Sequence, residues 1–128
     1  MAAPNLKGGI TEYFSPGDRL TMTAGGTITG GDVVALNGNR QVIVAPTGSA
    51  AIIGVAGYNA VSGEKVTVFL EGVVPVVASA AVAAGDIVDV GTTAGRVRPI
   101  AAGGFAQKVG RALEAISLGA TGRIKLTL

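Results

Sequence analysis

Apolar and polar residues alternate along most of this chain. Leu20-Thr-Met-Thr, Val42-Ile-Val, Val66-Thr-Val-Phe-Leu, Ile87-Val-Asp-Val and Ile124-Lys-Leu-Thr-Leu are short, β-branched and bounded by Gly, Asn or Pro. A period of two sends successive side chains to opposite faces of a strand, so each run predicts a half-buried strand. Turn signals separate the runs at intervals of about 8–12 residues. They are Pro16-Gly17-Asp18, Gly25-Gly26, Gly30-Gly31-Asp32, Asn37-Gly38-Asn39, Ser62-Gly63-Glu64, Gly85-Asp86, Gly95 and Gly119 to Gly122. Many short strands at this spacing predict an antiparallel barrel or sandwich rather than a βαβ fold. Asn37-Gly38 predicts a type I′ hairpin turn, which requires positive φ at both central residues.

One segment carries a competing period. Phe105, Val109, Ala112, Leu113 and Ile116 recur at helical spacing, which would make 105–116 an amphipathic helix. An internal repeat argues for strand instead. Gly31-Asp32-Val-Val aligns with Gly85-Asp86-Ile-Val at an offset of 54, and Gly54-Val-Ala with Gly110-Arg-Ala at 56. Val66-Thr-Val-Phe-Leu aligns with Ile124-Lys-Leu-Thr-Leu at 58. Since Ile52-Ile-Gly-Val-Ala reads as strand, so does its counterpart Val109-Gly-Arg-Ala-Leu. Glycine within a helix would also cost about 1 kcal/mol relative to alanine. Residues 20–128 are therefore expected to form one β-domain of two similar motifs, 20–72 and 73–128, behind an extended N-terminal arm, 1–19.

Composition narrows what this fold can do. Of the 128 residues, 21 are Ala and 17 Val, while Leu, Ile, Phe and Met together supply 22. At about 25 cal/mol per Å² buried, such small side chains make a thin core, which predicts self-association. With no Cys and no His there is no thiol nucleophile, disulfide framework, Cys/His zinc site or imidazole base. The net charge of +2 is too weak and dispersed to neutralise many phosphates, so no nucleic-acid partner is expected. Arg96/Arg98 and Arg123/Lys125 sit at period two and read as solvated strand faces. The longest apolar stretch, Val73 to Gly85, is interrupted by Pro75 and falls short of the roughly 20 residues of a spanning helix. It suits a core or an interface, and no membrane partner or signal segment is expected.

Candidate chemistry is sparse. Asp18, Asp32 and Asp86 each follow a glycine. No calcium-loop spacing surrounds them, so they read as turn residues whose carboxylates accept backbone N–H groups. The glycine-rich stretch Gly25 to Gly31 lacks both phosphate-loop patterns and a following helix. Lys65 sits in a hairpin turn without the flanking residues of a lipoyl or biotinyl lysine. No catalytic, cofactor-binding or metal residues are expected. In the arm, Leu6, Ile10, Tyr13, Phe14 and Pro16 are the candidate contact residues, because an arm holding two of the five aromatics is expected to dock.

The order of the motifs resembles a known family. Tyr13-Phe-Ser-Pro-Gly-Asp-Arg-Leu-Thr-Met-Thr, then Gly25-Gly-Thr-Ile-Thr-Gly-Gly-Asp-Val-Val, then Ile53-Gly-Val-Ala and Ser62-Gly-Glu-Lys-Val-Thr-Val-Phe-Leu-Glu-Gly-Val fill the first half. Ala84-Gly-Asp-Ile-Val-Asp-Val, Lys108-Val-Gly-Arg-Ala-Leu-Glu-Ala and Gly122-Arg-Ile-Lys-Leu-Thr-Leu continue in the second. Together they are similar to the small capsid decoration, or cement, proteins of tailed bacteriophages and prophages. The resemblance implies a compact all-β, β-tulip-like barrel or sandwich on the outer surface of an icosahedral virion. It implies the major capsid protein as partner, homotrimers at three-fold positions, synthesis in the host cytoplasm and no cofactor. The competing class is a small β-barrel ligand- or carbohydrate-binding accessory module. Its mark would be exposed aromatics on one face, and outside the arm only Tyr58, Phe69 and Phe105 could build one.

Overall fold

A computed structural model describes residues 19–47, 49, 51–100 and 107–126. The chain is all-β, and no helix occurs among the described residues. The strands are β1 (Arg19–Ala24), β2 (Val33–Gly38), β3 (Gln41–Val44), β4 (Ile52–Ala56) and β5 (Lys65–Phe69). They continue with β6 (Gly72–Val77), β7 (Ile87–Val90), β8 (Val97–Pro99), β9 (Gly110–Ala112) and β10 (Thr121–Leu126). Where the helical period competes, residues 110–112 form β9; Phe105 lies outside the described residues.

The first five strands close into a barrel of order β1-β3-β2-β4-β5, and the last five form a sheet of order β6-β10-β9-β7-β8. These orders share one connectivity. β2 pairs antiparallel with β3 and β4, and β5 with β4 and β1. Likewise β7 pairs antiparallel with β8 and β9, and β10 with β9 and β6. The barrel closes through a parallel pairing of β1 with β3, Thr23 to Gln41 and Ala24 to Val42. At the matching place the second sheet has a single parallel bridge, Ala78 to Val97. Pro75, without an N–H to donate, lies in the strand at that open edge.

The ladders correct the alignment of the last strands. Val68 faces Ala56, and Ile124 faces Ala112. Ile124 thus stands where Val68 stands, an offset of 56 rather than the expected 58. The expected hairpin also moves. The positive φ falls on Arg40 (55°), not on Asn37 and Gly38, because Gly38 still pairs with Gln41 across a register shift. Asn39 and Arg40 form the tip.

Glycines at two matching places permit close strand approach. A Cβ at Gly54 would lie 2.1 Å from the Phe69 carbonyl oxygen, and one at Gly110 the same distance from that of Lys125. Either would push β4 from β5, or β9 from β10.

Two apolar clusters hold the molecule. One fills the first barrel with Met22, Ala24, Ile28, Val34, Val42, Ala56, Ala60, Val66 and Val68. The other joins Val33, Ala35, Ala45, Ile52 and Val55 of the first half to most of the buried residues of the second. Strand β2 is therefore covered on both faces, which explains its unbroken Val-Val-Ala run. Hydrogen bonds cross the same boundary. Gln107 Oε1 accepts from Ile52 N at 2.7 Å, while its Nε2 donates to Ile52 O at 3.0 Å. Val33 N donates to Gly95 O, and Gly95 N to Ala45 O, both at 2.9 Å.

Candidate functional site

The expected arm contacts Leu6, Ile10, Tyr13, Phe14 and Pro16, and the turn residue Asp18, lie outside the described residues. The two remaining Gly-Asp turns have one geometry. Gly31 and Gly85 take positive φ of 91° and 89°. Asp32 Oδ2 accepts from Thr29 N at 3.0 Å, and Asp86 Oδ2 from Ala83 N at 2.9 Å. Each carboxylate closes the turn into a strand by accepting that backbone N–H. Burial raises the Asp32 pKa above the usual aspartate range, opposed by the Thr29 N–H and by the Arg96 charge. No cluster of metal-binding residues occurs among the described residues.

The cations divide by role. Arg98 is only partly in solvent: its Nε is 3.0 Å from Oδ1 of Asp89, the buried acid of β7. Register places these residues directly opposite, so the arginine neutralises a carboxylate that the fold has taken out of water. Arg111, Arg123 and Lys125 are exposed, by contrast. The last two pair with Pro75 and Val73 of β6, so all four share the outer face of the second sheet. Val73 is 56% and Leu113 50% exposed. Between them Arg123 Nε meets Glu114 Oε2 at 3.2 Å. Glu114 also accepts from Arg123 N, and that backbone hydrogen bond is the leading cause of its lowered pKa. The result is a mixed apolar and basic face suited to a protein surface.

A second feature lies between the halves. An open cleft of about 530 Å³ is lined by the ends of β4 and β5, by β6, by Gly30–Gly31 and by Gly57–Asn59. Tyr58 stands at its rim, 48% exposed, and none of its lining residues is charged. Strand alternation could not reveal this cleft, because it belongs to two sheets and to neither alone. Ser62 and Lys65 stand three apart, the spacing of a serine–lysine pair. Lys65 Nζ, however, donates to Thr23 Oγ1 at 2.8 Å, and both residues are exposed in and after a turn.

Comparison with known proteins is informative at this point. The family model described as phage cement protein matches residues 14–128. Among solved structures, the chain is similar to the N base of the head fiber gp8.5 of bacteriophage phi29. The two are 18% identical, with a TM-score of 0.62 over 85% of this chain and 92% of that one, which shows a common fold. No curated protein sequence matches.

Proposed function

This chain belongs to the phage cement protein family, and from that premise we propose that it binds the outer surface of an icosahedral phage shell and stabilises it. Its partner in this reading is the major capsid protein. The observation that carries the proposal is the family match from residue 14 to the last residue, which leaves only the first part of the arm outside. The described surface supports it. Exposed Val73 and Leu113 beside Arg111, Arg123 and Lys125 offer apolar contact with a charged border, the usual anatomy of a protein interface.

The protein acts as a structural component without catalysis or cofactor, made in the host cytoplasm and then added to the shell. It assembles there as a homotrimer. A thin core of Val and Ala gains from self-association, and symmetry multiplies each weak contact across a shell. The arm residues Leu6, Ile10, Tyr13, Phe14 and Pro16 supply further contacts. Between Met1 and Glu12 the only charged side chains are Lys7 and Glu12, so apolar and backbone contacts dominate there.

Co-sedimentation with undecorated shells tests this reading. Full-length protein is expected to bind saturably, and protein lacking residues 1–14 to bind much more weakly, with little dependence on salt. Failure of the full-length chain to sediment with shells overturns the proposal. Loss of binding in high salt alone moves the contact to the Arg111, Arg123 and Lys125 face.

A further inference from the structure

The cleft between the halves lies where the arm leaves the domain. Arg19, the first described residue, pairs with Phe69, and Phe69 pairs on its other side with Val55. Paired residues share a sheet face, so the Arg19 side chain emerges beside two residues that line the cleft. Because β1 runs antiparallel to β5, its Arg19 end lies at the β5–β6 connection and hence beside β6, the opposite wall. Five residues span at most about 17 Å, which puts the near end of the cleft within the reach of Phe14.

Chemistry selects the same segment. The cleft has no charged lining residue, and Tyr13-Phe14-Ser15-Pro16 has no charge. Its volume of about 530 Å³ exceeds what one aromatic ring needs and admits the backbone that carries it. The family match begins at Phe14, so that residue belongs to the matched stretch. Adjacent residues of an extended chain point to opposite sides, so with Phe14 turned inward Tyr13 faces out.

We propose that the cleft seats Phe14 of the same chain, its ring held among Val55, Tyr58, Phe69 and Val74, and that this contact aims residues 1–13 at the capsid. The second clause rests on the function proposed above; the first does not. A short tether raises the local concentration of the ring to the millimolar range, so the contact forms within one chain before a neighbour's arm can compete. Docked in this way, the arm loses less freedom on meeting the shell than an untethered one.

The chain has no cysteine, so a single engineered pair reports the contact. Full-length protein that keeps Phe14 and carries Ser15→Cys and Asn59→Cys, the latter on the cleft lining, is oxidised at several concentrations and followed by intact mass and non-reducing electrophoresis. The expected result is an internal disulfide, with loss of two hydrogens to the oxidant, at a yield independent of concentration. Ser15→Cys with Asn39→Cys, at the hairpin tip beyond the far end of β2, is expected to stay reduced. Disulfide-linked oligomers of the first variant show instead that a neighbour's arm fills the cleft, and this overturns the proposal. So does an absence of crosslinking, or equal crosslinking of both variants. Shell co-sedimentation is read separately on the wild-type chain. Crosslinking without shell binding rejects the function and keeps the seat, whereas shell binding without crosslinking does the reverse.

Discussion

Asp32 and Glu114 respond to pH in opposite directions. The Asp32 carboxyl is partly buried, and its folded pKa lies above its unfolded one, near pH 4. The folded chain therefore binds this proton more tightly, and stability falls as pH rises from about 4 through the raised value. Glu114 is solvent-exposed and held charged by the Arg123 N–H and guanidinium, so its contribution is present above the unfolded pKa and lost as pH falls through the lowered one. Asp32→Asn keeps an oxygen for Thr29 N but removes the ionisation. It is expected to raise stability at pH 7 and to leave it unchanged at pH 3, as read by urea denaturation at both values. Asp32→Ala removes the acceptor as well and is expected to lose about 0.5–1.5 kcal/mol through the unpaired Thr29 N–H.

Strand existence was legible in the sequence, but strand register was not. The runs at Leu20, Val42, Val66, Ile87 and Ile124 were visible because alternation is what a half-buried strand requires. The final alignment missed by two residues for the same reason: a slip of two keeps every side chain on its own face, so the pattern cannot detect it. The tip at Asn39 and Arg40 was hidden by the irregular pairing near Gly38, which only the ladder exposes. Correct register reveals a volume exchange between the halves. Val66 and Ala60 lie together inside the barrel, and the matching places hold Gly122 and Ile116. A Cβ at Gly122 would come within 2.3 Å of Ile116 Cγ1, so the isoleucine occupies the space that valine fills in the first half. Gly122→Val is expected to destabilise by about 2–3 kcal/mol through overpacking. Adding Ile116→Ala should recover 1 kcal/mol or more, at about the usual coupling of residues in contact. Additive losses in a thermal double-mutant cycle would show that the two positions do not share space.

At the scale of the whole molecule, the halves are bound too closely to act apart. One apolar cluster crosses the boundary, and Gln107 holds both backbone groups of Ile52. Gln107→Ala leaves that N–H and C=O without their partner and is expected to cost about 1–3 kcal/mol. Unfolding should remain a single transition, with amides of β2 and β7 losing exchange protection together; separate transitions would contradict this. The Asp89–Arg98 pair and the cleft had no signature in the sequence, since each depends on residues that only register or docking brings together. The apolar stretch after Gly72 was readable as buried or interfacial; Val74 and Val76 enter the core, while Val73 and Pro75 stay exposed. The cementing role is tested most directly by heating undecorated shells with and without saturating protein and following release of their contents. The account predicts that saturated shells open at a higher temperature, with the shift tracking bound protein. Shells that bind the protein and open at the same temperature would contradict it.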